Sequence, residues 1–338
     1  EVYSTDILAA HLAEQKGDIG QARALLARHV PSKGQSDLRG FEWHLLSKQC
    51  EGRELAVLRE HTHIVTTVAW SHDGKRLASG DHRGALVLWE RDAELGLRIV
   101  KRIKLEHAVR KVLWLPDDKQ MIVAGPSEKT LLLDSNDGTE LKSWPGACAS
   151  ISADGKRLAI ANSGAFYYDP AGAVTLYSLP DGNAIRQVTK RGRALALSAD
   201  GAWLAVGVPH RGVPDEESGV DLYDLRDAAT APKRLSTDSS VWALEFSPDG
   251  SRLAACLSGH QGMPIWAVPE GQPLALLRGH EQRAWTLTFL AGGKSLLSTG
   301  SDRSIRSWDV STFTEQAPTG LVGHESEVWC AAVHPDGS

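Results

Sequence analysis

Short runs in which apolar and polar residues alternate recur along most of this chain, and Gly and Asp turns separate them. The stretch 280–309 shows the pattern clearly: Leu287-Thr288-Phe289 and Leu296-Leu297-Ser298 flank the turn Ala291-Gly292-Gly293-Lys294. Alternation with a period of two predicts β-strands, and glycine-rich turns at this spacing predict antiparallel hairpins. We therefore expect three strands within about thirty residues, and such a unit does not fold alone.

The same unit repeats along the chain. Its marker is the turn glycine, or the residue in its place, at Gly74, Asp118, Gly155, Gly201, Gly250, Gly293 and Gly337. The successive spacings are 44, 37, 46, 49, 43 and 44 residues, which fits the roughly 40–45 residues of a four-stranded propeller blade. The sequence therefore predicts an all-β propeller over residues 53–338, with six recognisable blades and the start of a seventh, and seven blades in the full protein.

Four side chains of the 280–309 unit form a chemically consistent buried set. An indole N–H only donates, a hydroxyl and an imidazole can relay, and a carboxylate only accepts, so the order Trp308–Ser298–His280–Asp302 satisfies every polar atom. The Gly-His and Trp-Asp pairs of this unit resemble the WD-repeat family. The resemblance implies a WD-repeat β-propeller in which this tetrad stabilises the blade and has no part in a reaction.

The first repeat departs from this set. His61, Ser79 and Trp89 match three of its members, but Arg83 stands four residues after the serine, where the 280–309 unit has Asp302. We therefore expect the complete set only in the 280–309 unit.

Residues 1–50 have helical rather than strand periodicity. The apolar face of a first predicted helix consists of Ile7, Leu8, Leu12 and Ala13. A second helix follows, and Asp37 caps a third in Asp-Leu-Arg-Gly-Phe-Glu-Trp. The first two helices resemble one tetratricopeptide-type hairpin, and a single hairpin cannot bury its own face. We therefore expect residues 1–50 to pack on the propeller.

The helical pair, the Asp-Leu-Arg-Gly-Phe-Glu-Trp helix and the repeats together resemble large bacterial WD-repeat proteins of the planctomycete type. Many of those carry a serine/threonine kinase domain upstream, which implies a signalling context. The chain itself has no His-Arg-Asp or Asp-Phe-Gly motif and no Gly-rich loop after a first strand. It begins without Met and stops within a repeat, so we expect a piece of a longer protein, with any kinase outside it. A cytoplasmic location is favoured; an extracytoplasmic one stays open if a membrane span lies upstream.

Tryptophan marks one position in three consecutive repeats. Trp242, Trp285 and Trp329 occupy the same place relative to the turn and start the innermost strands, near the mouth of the central channel. Arg110 and Arg193 hold the matching place in two other repeats. Aromatic and Arg side chains are frequent hot spots of protein interfaces, so this arc predicts a peptide or protein partner. Packing of each Trp between neighbouring blades is the alternative, and the two interpretations are compatible.

Three insertions in adjacent repeats, near 162–170, 209–217 and 258–264, predict a second binding surface. In WD propellers such loops share one face, and loops on a rigid scaffold often carry binding. Packing of the loops on themselves is the alternative. The candidate contact residues are Phe166, Tyr167, Tyr168, His210, Arg211 and Met263.

Composition excludes several function classes. The net charge is −5 and no Lys/Arg run exceeds two residues, which argues against nucleic-acid binding. No apolar stretch approaches the roughly 18 residues of a membrane span. The four cysteines have no metal or disulfide spacing, and no Gly-x-Ser-x-Gly elbow occurs.

We therefore expect no metal, no cofactor and no enzyme activity, and predict a non-catalytic protein-interaction scaffold. Binding of a small molecule or glycan at a Trp-lined channel mouth is one alternative. A regulatory or sensor part of a larger kinase-containing protein is the other.

Overall fold

The chain folds into a ring of six antiparallel four-stranded sheets preceded by three short helices. The computed structural model describes residues 2–15, 19–31, 37, 39–50, 58–92, 96–126, 129–162, 173–189, 192, 194–208, 218–259, 262–290, 292–316, 324 and 326–336. The predicted propeller with six recognisable blades is confirmed.

The strands of each blade pair in chain order, with the first strand innermost. Blade one contains β1 (Val65–Trp70), β2 (Arg76–Asp81), β3 (Ala85–Asp92) and β4 (Gly96–Lys104). Blade two contains β5 (Lys111–Trp114), β6 (Gln120–Ala124), β7 (Lys129–Asp134) and β8 (Glu140–Pro145). Blade three contains β9 (Cys148–Ile151), β10 (Arg157–Asn162), β11 (Ala173–Ser178) and β12 (Ala184–Thr189).

The second half of the ring repeats this order. Blade four contains β13 (Ala194–Leu197), β14 (Trp203–Val208), β15 (Gly219–Asp224) and β16 (Lys233–Ser236). Blade five contains β17 (Val241–Phe246), β18 (Arg252–Leu257), β19 (Met263–Ala267) and β20 (Pro273–Leu277). Blade six contains β21 (Ala284–Phe289), β22 (Ser295–Gly300), β23 (Ile305–Asp309) and β24 (Thr314–Glu315).

The turn between the first two strands has the same chemistry in blades one, three, four and five. A serine hydroxyl donates to the Asp two residues later and accepts the N–H of the residue five positions later, at 2.9–3.0 Å. The glycine that follows that Asp has a φ of 66–70°. This left-handed conformation costs glycine nothing, so the Ser-x-Asp-Gly spacing specifies the hairpin.

Blade two has Asp118 at the glycine position, with a φ of 55°. Its carboxylate accepts hydrogen bonds from the backbone N–H groups of His72 and Asp73, at 2.8 and 2.9 Å, and from His72 Nδ1 at 2.9 Å. Asp is one of the few residues that tolerate this backbone region. The side chain therefore joins blade two to the turn of blade one.

The hydrophobic core lies between blades. Five clusters of buried side chains each combine residues of two neighbouring blades, from blades one and two to blades five and six. Both faces of each sheet are therefore covered, which is why Leu204, Ala205 and Val206 in β14 are all fully buried.

The segment 326–336 lies between blade six and blade one. The Val328 N–H donates to the Gly300 carbonyl of blade six at 3.0 Å. On the other side, His334 Nε2 lies 3.0 Å from the Gly74 carbonyl of blade one, and its ring meets Trp70 edge-on at 4.9 Å. The inner wall is thus continuous through this segment, which has no ladder partner among the described strands.

Three helices precede the ring: α1 (Val2–Gln15), α2 (Ile19–Ala27) and α3 (Phe41–Cys50). They share their own core, in which Trp43 donates its indole N–H to the Leu26 carbonyl at 2.9 Å. The predicted apolar face of α1 is confirmed at Ala13, which is buried, and at Ile7, which packs against this core. It is wrong at Leu8 and Leu12, which are 60% and 47% exposed. Packing of this segment on the propeller stays a prediction.

The third helix begins later than predicted. Asp37 accepts the Arg39 N–H at 3.1 Å, which forms a turn before the helix, and α3 starts at Phe41. None of the described helices is both long enough and apolar enough to cross a membrane.

Candidate functional site

The predicted tetrad is one hydrogen-bonded chain in blade six. Trp308 donates its indole N–H to Ser298 Oγ at 2.8 Å, and that hydroxyl lies 2.7 Å from His280 Nε2. His280 Nδ1 lies 2.9 Å from the Asp302 carboxylate. Burial raises the pKa of Asp302, but hydrogen bonds from His280 and Ser304 outweigh it and lower that pKa to about 2. The set ties β22 and β23 to the segment before β21.

Blade one carries an equivalent set, so the expectation that only blade six is complete is wrong. Trp89 donates to Ser79 Oγ at 2.8 Å, and Ser79 lies 2.7 Å from His61 Nε2. The acceptor for His61 Nδ1 is Asp81, at 3.2 Å, and not a residue at the position of Arg83. Asp81 stands two residues after the serine, on β2, and its carboxylate also accepts backbone N–H groups of the turn that follows.

Neither tetrad lines the two channel cavities, whereas the candidate binding residues Trp242, Trp285 and Arg110 line the larger one. Trp242 and Trp285 meet edge to face with ring centroids 5.5 Å apart and an interplanar angle of 87°. Trp285 stacks on Trp329 at 4.2 Å and 16°. All three side chains are partly exposed. Two tryptophans from neighbouring inner strands and one from the segment 326–336 thus form one continuous aromatic surface, which we call the tryptophan arc.

The arc is partly occupied by the protein itself. The Arg283 guanidinium lies 5.1 Å from the ring centroids of both Trp242 and Trp285, a cation–π distance. Trp242 also packs against the core cluster between blades five and six. The indole N–H of Trp285 is buried and has no hydrogen-bond acceptor among the described residues. Packing and exposure therefore coexist in the arc.

A cavity of about 500 Å³ fills the channel and is lined by the inner strands of all six blades and by residues 330–333. Trp242 and Trp285 lie on one side of it, in blades five and six, and Arg110 and Lys111 lie on the other, in blade two. Arg110 is exposed and Lys111 is partly exposed. A volume of this size is in the range of small-molecule and side-chain pockets.

Glu245 lines both this cavity and a second one of about 360 Å³ toward the opposite end of the channel. It is the only carboxyl group among the described lining residues of the two cavities. Burial among the inner strands raises the pKa of Glu245 to about 7, and the positive charge of Lys111 opposes that rise. Sequence reasoning missed Glu245, although a charged residue between the buried Leu244 and Phe246 in an inner strand was a usable signal.

The second predicted surface is only partly described. The structure places Met263 at the start of β19, where it is 2% exposed and packs between blades five and six. Its assignment to the rim is therefore wrong, because β19 begins there and turns the side chain into the core. The remaining rim candidates and Arg193, the second arginine predicted near the channel mouth, lie outside the described residues. The rim candidates concerned are Phe166, Tyr167, Tyr168, His210 and Arg211.

No group of three or more His, Cys, Asp or Glu side chains that could hold a metal occurs in the described part of the chain. The four cysteines form no disulfide in that part of the chain, and burial raises the pKa of Cys330, which lines the channel, to about 12.

Three segments match the family model described as WD domain, G-beta repeat: residues 52–90, 232–268 and 271–309. They correspond to blades one, five and six, which retain the repeat tryptophan. A WD repeat-containing protein 26 homolog of Arabidopsis thaliana is 25% identical over 316 residues, which covers 89% of this chain and 50% of that protein. A WDS homolog of the same plant is 22% identical over 265 residues, covering 74% and 48%.

Nuclear distribution protein PAC1 of Arthroderma otae is 31% identical over 146 residues, covering 39% of this chain and 31% of that protein. The chain thus spans about half the length, or less, of these relatives, all of which are eukaryotic. Three of the six blades of this β-propeller thus match the WD-repeat model. Proteins that carry this repeat generally act as protein-interaction scaffolds.

Proposed function

We propose that this propeller is a non-catalytic scaffold that binds a peptide or protein partner on the face around the channel mouth, with the tryptophan arc as the anchor. The observation that carries this proposal is the arc itself. Trp242 and Trp285, at the start of neighbouring inner strands, and Trp329, in the segment 326–336, form a continuous, partly exposed aromatic surface. Large rigid aromatic groups at the centre of a rimmed surface supply most of the energy of many interfaces.

The loops near 162–170 and 209–217 supply the outer contacts in this proposal. In the chain they connect β10 to β11 of blade three and β14 to β15 of blade four, and blade four neighbours blade five, which carries Trp242. In this proposal the arc is the centre of the interface and the loops are its rim.

The alternatives carry less support. A small molecule or glycan would use the 500 Å³ cavity below the arc, but the Arg283 guanidinium already occupies ring faces that a sugar would stack on. A regulatory role in a larger bacterial signalling protein with an upstream kinase domain, suggested by the N-terminal resemblance, stays a prediction.

The proposal can be tested by selecting random twelve-residue peptides, displayed on phage, against the immobilised chain. Peptides that bind the mouth should lose at least tenfold in affinity for Trp285→Ala. Trp203→Ala is the matched control, because Trp203 is also partly exposed and has an arginine, Arg226, over its ring at 5.0 Å, but lies on the second strand of blade four. Peptides that bind both variants as well as the wild type would refute the arc as the anchor.

Acrylamide quenching separates binding from folding effects. If the arc faces solvent, Trp285→Ala removes a readily quenched component of the fluorescence and leaves the melting temperature nearly unchanged. A sharp fall in melting temperature with unchanged quenching would identify the arc as core and move the site to the loops.

A further inference from the structure

Among the described residues that line the channel cavity, two are cationic and one is a carboxyl. The two cations are the consecutive Arg110 and Lys111, at the start of the inner strand of blade two. Neither side chain forms an ion pair or hydrogen bond with any residue that the structure describes. Arg283, the third cation of this region, is held by the rings of Trp242 and Trp285. Two cations therefore line the cavity with no anionic partner at contact distance among the described residues.

The one carboxyl among the described residues that line the channel does not neutralise them. Glu245 makes no ion pair with Lys111, although the two groups interact across the cavity. Its desolvated position favours the neutral acid, so near neutral pH it supplies only part of a negative charge. Clefts with one sign of charge and low-dielectric walls concentrate ligands of the opposite sign.

The geometry points to a carboxylate of the protein partner, an aspartate or glutamate side chain, that binds between Arg110 and Lys111 in the channel while neighbouring residues contact the tryptophan arc. The inference rests on the proposed function and specifies its partner as an acidic peptide. An arginine fork matches a carboxylate in bidentate geometry, and charge-assisted hydrogen bonds of this kind are about twice as strong as neutral ones. A basic side chain fits poorly, because Arg283 already holds the ring faces and Arg110 and Lys111 would repel it.

This site has a characteristic pH dependence. When Glu245 takes up a proton, the summed charge of Arg110, Lys111 and Glu245 rises from +1 to +2. Affinity for an acidic peptide should therefore increase as the pH falls from 8 to 6, while the peptide carboxylate stays ionised. The charged and titratable groups that line the two channel cavities are Arg110, Lys111, Glu245, Cys148, Cys330 and His72.

The test uses the displayed twelve-residue library on the whole chain at pH 6, followed by synthesis of an enriched peptide. We expect enriched peptides to contain Asp or Glu next to apolar residues. Replacing that acid by its amide should weaken binding at least tenfold, and so should Lys111→Met and Arg110→Met. Lys101→Met, in the exposed outer strand β4, is the matched control and should leave affinity unchanged. Glu245→Gln should raise affinity at pH 8 severalfold and remove most of the difference between pH 8 and pH 6.

The outcomes separate the two proposals. Peptides that depend on Trp285 but contain no acid, or that bind Lys111→Met and Arg110→Met normally, would overturn the carboxylate site and leave the scaffold function standing. Peptides that do not depend on Trp285 would overturn the scaffold site itself, and a library that yields no binder counts against both. The peptide amide variant cannot unfold the protein, so its result is decisive even if a channel variant folds poorly. Displacement of the peptide by sodium succinate as potent as the peptide itself would assign the site to small carboxylates instead.

Discussion

Replacement of Glu245 by glutamine should stabilise the protein at alkaline pH. Burial raises the pKa of Glu245 from its ordinary value of 4.5 to about 7. A carboxyl whose pKa is higher in the folded state penalises folding once the unfolded chain ionises, so stability falls as the pH rises through 4.5 to 7 and the penalty is complete above 7. The full difference corresponds to about 3 kcal/mol. Because the side chain keeps some contact with channel water, we expect a gain of about 1–3 kcal/mol for Glu245→Gln at pH 8.

The assay is urea unfolding followed by tryptophan fluorescence, on wild type and variant, at pH 4.5 and pH 8. The difference in unfolding free energy between variant and wild type should be small at pH 4.5 and favour the variant at pH 8. Glu140→Gln is the control, since Glu140 lies exposed in the outer strand β8 and should give no pH-dependent difference. A variant that is less stable than wild type by the same amount at both pH values would refute the reasoning, because it would show an ionised carboxylate with a strong partner.

Two further substitutions test the hydrogen bonds that connect neighbouring blades and those that hold one blade together. Asp118→Ala removes a carboxylate that accepts three hydrogen bonds from the turn of blade one. Thermal unfolding should show that the variant loses about 2–4 kcal/mol of unfolding free energy. The control Asp117→Ala, at the neighbouring exposed position, should lose less than about 1 kcal/mol, and equal losses in the two variants would contradict the role of the contact. Asp302→Asn should cost about 2 kcal/mol at pH 7. The pKa of Asp302 is lowered from 3.8 to about 2, so its contribution is complete above 3.8 and lost as the pH falls through 2. Wild type and variant should therefore converge in acid unfolding, whereas a constant difference would rule out ionisation as the cause. Asp117→Asn, at an exposed position, is the comparison.

The repeat spacing was sufficient to predict the fold, because each blade is a local unit whose hairpin is specified by a short turn sequence. Ser-x-Asp-Gly needs no distant contact to form, so its recurrence could be counted in the sequence. The start of an inner strand could be located in the same way, and the three tryptophans were placed together for that reason.

Contacts that depend on where a side chain points in the folded protein could not be predicted from the sequence. Asp81 completes the blade-one tetrad from a position two residues away from the expected one, because its side chain lies on the strand rather than in the turn. Leu8 and Leu12 fit a helical apolar face, but they are exposed, and α1 packs through Ile7, Ala10 and Ala13 instead. That Arg110 and Lys111 have no ion-pair partner among the described residues also follows only from the arrangement of blades around the channel, since it depends on what lies opposite them.

The segment 326–336 has a consequence for the order of folding. Within blades, nearly all ladder contacts join residues fewer than about forty positions apart, whereas His334 meets Gly74 across 260 residues. The entropic cost of closing a loop grows only slowly with its length, but a contact this distant gains nothing until the intervening blades exist. Blades should therefore form one after another, and the contact between the segment 326–336 and blade one, which we call the seam, should form last. Amides at this seam, such as Val328 N–H, should accordingly exchange with deuterium sooner than those in the inner strands of blades three to five.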